Sequence, residues 1–169
     1  VSIINASSRP DSHSESECEF YLRANKLTEA KLLKKIIVDF IESIYPIVNV
    51  PCDVSLFELP CDELLTNRSL SRLFTHNLKE CGIIDISPPK GALYGLGIGS
   101  ISHITPCIYP SISITEKSTI SCPSSLFAQE TQTDFCKINM IKAASALAIT
   151  GLDIIEKQDL LKEIVLELN

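Results

Sequence analysis

Gly91-Ala-Leu-Tyr-Gly-Leu-Gly-Ile-Gly-Ser-Ile-Ser-His-Ile-Thr-Pro-Cys-Ile-Tyr-Pro110 is the most informative stretch of the chain. The glycines at 95, 97 and 99 predict a loop of tight backbone turns, and the apolar residues behind them a short strand. No strand leads into these glycines and no helix is expected close behind them, so they do not read as a dinucleotide fingerprint. Ser100, Ser102 and Ser124 lack the nucleophile-elbow pattern.

Before the loop, residues 1–17 are polar and Ser-rich, and predict a loop or frayed terminus, with 1–14 disordered. Phe20, Tyr21 and Leu22 predict a strand over 17–24. Thr28 is placed to cap a helix whose apolar residues Ala30, Leu33, Ile36, Ile37, Phe40, Ile41 and Ile44 recur at three- and four-residue steps. Pro46 is expected to end it. Val48, Val50, Cys52, Val54 and Leu56 alternate as in a half-buried strand, which Pro51 confines to an edge. Asn67 is expected to cap a second helix with Leu70, Leu73, Phe74, Leu78 and Cys81 on one face, stopped at a left-handed Gly82. Residues 83–86 predict a short strand.

Behind the loop, Ile108, Ile112 and Ile114 predict a buried strand, and 118–133 an irregular segment. A third helix is expected over 134–155, with Ile138, Ile141, Ala144, Ala148, Leu152 and Ile155 as its packing stripe and Gly151 weakening its end. Leu160, Leu161, Ile164 and Leu168 predict a last amphipathic helix.

Composition narrows the class. A chain of 169 residues, 45% hydrophobic, has the apolar content of a folded protein. Its net charge of −6, with no stripe of Lys and Arg, argues against nucleic-acid binding. No apolar run of membrane-spanning length stands out, and Val-Ser-Ile-Ile-Asn lacks the marks of a signal peptide. It also lacks an initiator Met, so a processed product or fragment is expected. The seven cysteines, an odd number, have no two-residue spacing of the zinc-binding kind. They predict small buried hydrophobes in a reducing, cytoplasmic compartment, with a Cys52–Cys61 pair as the alternative under oxidising conditions. Asn5-Ala-Ser and Asn67-Arg-Ser match the glycosylation sequon, a tripeptide short enough to occur by chance.

Four segments resemble one family in order. The Gly-rich loop resembles Gly-Ser-Thr-Asp-Phe-Gly-Asn-Val-Ser followed by Val-Pro-x-Ile-His-Pro, with Gly99, Ile101, Ser102, Pro106, Ile108 and Pro110 in register. Glu19-Phe-Tyr-Leu-Arg-Ala resembles a lid strand closing on an arginine. Leu65-Thr-Asn-Arg-Ser-Leu resembles a Leu-Pro-Asn-x-x-Leu helix entry. Ala143-Ala-Ser-Ala-Leu-Ala-Ile-Thr-Gly-Leu-Asp resembles a C-terminal Ala-Ala-Lys-Ala-Leu-Ala-x-Thr-Ala-Leu-Asp. The family is the zinc-dependent aminoacylase and carnosinase amidohydrolases, in particular the β-alanyl-lysine (Xaa-Arg) dipeptidase branch.

The resemblance implies an α/β (α+β) fold. Residues 1–58 would be part of an inserted ferredoxin-like lid, and 59–169 the C-terminal part of a zinc-peptidase catalytic domain. The first half of both would precede Val1, with most zinc ligands and the general base. It implies substrate-binding roles for Arg23, whose planar fork suits a carboxylate, and for Gly99. It also implies losses: the family's Asp falls on Gly97, its Asn on Ser100 and its His on Tyr109. A further His ligand falls on Ser121 or Pro123, neither of which binds zinc, with Cys122 between them as the only thiol. The lid asparagine does not carry over to Asn5, which lies too far from Arg23.

No catalytic residue, no metal ligand and no cofactor is therefore expected in this chain, although the family uses zinc. The favoured reading is a degenerate, non-catalytic dipeptidase relative. One alternative is the C-terminal part of an active enzyme acting on dipeptides or N-acyl amino acids. The other is an assembly module working through the edge strand over 48–56, as a homodimer or with a missing N-terminal half. His13 is expected to be solvated, His76 falls on the polar side of its helix, and His103 falls where the resembled family varies; no carboxylate or second His has metal-ligand spacing to any of the three.

Overall fold

The computed structural model describes residues 2–8, 16–49, 51–88, 97–116 and 120–168. Their elements run β1 (Ser2–Ser8), β2 (Ser16–Tyr21), α1 (Leu27–Val48), α2 (Arg68–Glu80), α3 (Ile98–Ser102), α4 (Ser125–Glu130), α5 (Asp134–Glu156) and α6 (Gln158–Leu166). The described residues thus combine helix and strand, with helix predominant and a single antiparallel strand pair. The chain divides into two units. The first takes the described residues of Val1–Leu64 and Gly91–Ser100, the second those of Leu65–Lys90 and Ile101–Asn169.

In the first unit β1 pairs antiparallel with β2, Ser2 opposite Tyr21 and Ser8 opposite Ser16, with a bulge between Ile3 and Asn5. The expectation of a loop over 1–17, disordered to 14, is corrected at Ser2–Ser8 and from Ser16, while residues 1 and 9–15 lie outside the described residues. Backbone of modest strand propensity joins a ladder once a neighbour supplies the hydrogen bonds, and the aromatic-rich β2 is that neighbour.

α1 begins after Lys26, which makes no side-chain cap, so Thr28 is not the cap. The first turn is served instead by Glu63, whose Oε2 accepts from Leu27 N at 3.1 Å. A carboxylate at this end also matches the positive pole of the helix. Pro46 lies inside the helix and does not end it. The helix closes at Asn49, left-handed at φ 51°, whose N–H donates to Tyr45 O. Asn adopts that conformation more readily than most residues do.

The alternating segment over 48–56 is not an edge strand. Val48 ends α1, residues 51–56 are irregular, and Val50 lies outside the described residues. Alternation yields a strand only where a ladder is free to receive it, and Pro51 cannot donate to one. Cys52 and Val54 instead line a groove along α1.

The second unit is built on Phe74 and Leu78 of α2 against Ala146 of α5, with Cys81, Ile83 and Ile108 packed around them. Asn67 caps α2 as the sequence predicts: its Oδ1 accepts from Leu70 N at 2.8 Å. Its Nδ2 donates to Ile164 O at 2.8 Å, which joins α6 to the cap. This buried amide is thereby removed from any sequon. Gly82 is left-handed, at φ +84°.

Residues 83–86 and 108–114 are irregular and not strands, apart from a single parallel bridge between Thr66 and Cys107. The segment over 118–133 contains α4, capped by Ser124. α6 ends at Leu166.

α5 corrects the sequence reading most sharply. Its expected packing stripe of Ile138, Ile141, Ala144, Ala148, Leu152 and Ile155 faces outward. The helix is buried through Cys136, Ala146 and Thr150. The reason is polar: Asn77 of α2 donates to Thr150 Oγ1 at 3.1 Å and to Asp153 Oδ2 at 2.9 Å. A buried amide needs partners, and only this face of α5 supplies them. The expectation of no membrane-length apolar run is corrected as well. α5 is long and apolar enough to cross a membrane, with mean hydropathy 1.5 over its most apolar 18 residues.

All seven cysteines are free, so Cys52 and Cys61 are not paired. Only Cys136 is buried, while Cys18, Cys52 and Cys122 are exposed, which overturns the reading of the thiols as core fillers.

Candidate functional site

Residues 91–96 of the Gly-rich loop lie outside the described residues. From Gly97 the chain enters α3 and not a strand. Three small residues explain the tight course. A Cβ at Gly99 would overlap the backbone carbonyl oxygen of Asp62, so only glycine fits. Ser100 Oγ donates to Asp62 Oδ2 at 2.9 Å and accepts from Asp62 N at 3.1 Å. Ser102, fully buried, accepts from Leu65 N at 2.9 Å. Each contact fixes backbone. The loop end is a clamp, and Gly99 is used for close packing.

Arg23 belongs to a separate cluster in the first unit. Its guanidinium lies 5.1 Å over the Tyr21 ring, within cation–π range. The Tyr21 ring meets Phe57 at 5.4 Å in a tilted arrangement. Tyr21 also donates its hydroxyl to Glu58 Oε1 at 2.9 Å. That hydrogen bond to a carboxylate is the main cause of a phenol pKa raised above its ordinary value, with burial adding to it. Arg23 thus helps to seat the aromatic pair at the end of β2.

His76 and His103 are exposed, and His13 lies outside the described residues. Tyr109, Ser121, Cys122 and Pro123 are exposed. Ser121 uses its carbonyl to accept from Ser124 Oγ at 2.7 Å.

Sequence reasoning missed two surfaces. Lys31, Lys34 and Lys35 line the groove formed with Val38, Ile41, Glu42, Cys52 and Val54. Their spacing of three and four residues was the available signal. The second surface is apolar: α1 has no buried residue, and Leu32, Ile36 and Phe40 are 59%, 55% and 63% exposed. The outer stripe of α5 is its counterpart in the second unit. No protein-family description, no curated protein and no solved structure matches the chain.

Proposed function

We propose that this chain is a non-catalytic relative of the zinc dipeptidases that works by association. The observation that carries the reading is the outward apolar surface of two long helices, Leu32, Ile36 and Phe40 on α1 and Ile138, Ile141, Leu152 and Ile155 on α5. Apolar stripes of that length on an isolated chain mark contact surfaces.

The non-catalytic half of the proposal rests on residue chemistry. Gly97, Ser100 and Tyr109 stand where the resembled loop carries Asp, Asn and His. Ser121 and Pro123 offer zinc neither imidazole nor carboxylate nor thiolate. The Ser100 hydroxyl and the Asp62 carboxylate are bonded to each other. In this reading residues 1–58 are part of a ferredoxin-like lid, and 59–169 the C-terminal part of a zinc-peptidase-like α/β domain. Seven free thiols suit a reducing, cytoplasmic setting.

The test incubates the purified chain with Zn²⁺ and a panel of dipeptides and N-acyl amino acids, beside sedimentation over a concentration series. No amide hydrolysis and a mass above 18.6 kDa are expected. Metal-dependent release of amino acids would instead make the chain part of an active dipeptidase.

A further inference from the structure

Independently of the outward apolar stripes, we propose that the groove along α1 is a docking site for an extended acidic peptide of a partner protein. The groove is formed by one face of the helix and by the segment that follows it, both in the first unit. Lys31, Lys34 and Lys35 line its start, at three- and four-residue steps that bring them to one side of α1. None of the three forms an ion pair with another described residue. In a chain of net charge −6 they form a local basic cluster. Val38 and Ile41 follow along the helix, joined by Val54 from the segment beyond it, and Glu42 comes last.

This order selects the chemistry of the occupant. Unpaired lysines attract carboxylates, and complementary charge fixes the register in which a partner lies. The apolar stretch asks for an apolar side chain beside the acids, since only that removes Val38, Ile41 and Val54 from water. Glu42 repels an anion that runs on past them, which disfavours a nucleic-acid strand. The backbone then favours a peptide. Residues 52–56 make no hydrogen bond to other backbone among the described residues. Their N–H and C=O groups are open to a chain laid beside them, the mode in which extended peptides join exposed backbone. The middle of the lysine cluster lies about 10 Å along α1 from the middle of Val38 and Ile41. An extended peptide covers that distance in about three residues. The fitting motif is therefore an acidic pair with an aliphatic residue about three positions away.

The test measures fluorescence anisotropy of labelled Glu-Asp-Ser-Gly-Leu, and of the same peptide in reverse order, with the full chain. One of the two orders is expected to bind saturably, and roughly tenfold more weakly to Lys34→Glu or Lys35→Glu. Circular dichroism checks that both variants keep their helix content. Serine in place of the peptide's leucine is expected to weaken binding several-fold. Bound peptide is also expected to slow alkylation of Cys52, which lines the groove, while the exposed Cys122 of the second unit reacts as before. Absence of saturable binding in both orders, or binding that both lysine variants retain, would overturn the proposal. Equal protection of Cys52 by octanoate would overturn a peptide occupant.

Discussion

The two units of this chain are held together in different ways. The second has a buried apolar centre, Phe74, Leu78 and Ala146, ringed by polar groups that find partners: Asn67 with Ile164, and Asn77 with Thr150 and Asp153. In the first, the longest helix has no fully buried residue, and its first turn is held by the Glu63 carboxylate at Leu27 N. Stability in the second unit follows from area removed from water. In the first the described contacts include a few hydrogen bonds and one close approach, and Leu32, Ile36 and Phe40 of α1 stay exposed.

The largest effect that would sharpen this contrast is Phe74→Ala. It should cost about 3–5 kcal/mol of unfolding free energy, seen as a lower midpoint in a urea titration. The matching change on α1, Phe40→Ala, should leave the dissociated chain within about 0.5 kcal/mol of wild type. Equal losses from the two substitutions would break the comparison.

Gly99→Ala should destabilise the first unit by about 1–3 kcal/mol, because the added methyl must displace the Asp62 backbone. Hydrogen exchange at the amides of Asp62 and Leu27 should quicken. Unchanged protection there would mean that the clamp has slack.

Asn67→Ala removes a cap and a buried donor together, and should cost about 1–2 kcal/mol by chemical denaturation.

The smallest effect is a pH dependence. Glu167 accepts from the N–H groups of Ser69 and Arg68, which hold its pKa below the ordinary value of 4.5. Its folded pKa is depressed, so its stabilisation is present above the unfolded value and is lost as pH falls through the folded one. Glu167→Gln should flatten the acid limb of the stability profile and change little at neutral pH. A wild-type slope in that variant would remove Glu167 from the account.

Capped helices were the most legible part of the sequence. Asn67 and Gly82 act through neighbours a few residues away, so their signals are local. The strands over 48–56 and 83–86 were misread because alternation shows only that a segment suits a ladder, not that one is within reach. The Gly-rich stretch was read as a loop of tight turns leading into a strand, whereas its described part, from Gly97, leads into α3. Its use became visible only with Asp62 and Leu65 beside it, each more than thirty residues away.

By itself the sequence determined where helices could form, how α2 is capped and stopped, and that ample apolar surface exists to be buried. Those properties depend on residue spacing and on hydrogen bonds within one turn. Only the tertiary structure decided which faces are buried. α5 offers apolar residues on more than one side, and hydrophobic contact, being non-directional, does not choose between them. The Asn77 amide is directional: its hydrogen bonds to Thr150 and Asp153 are met by one face of α5, and that face is the one set against α2.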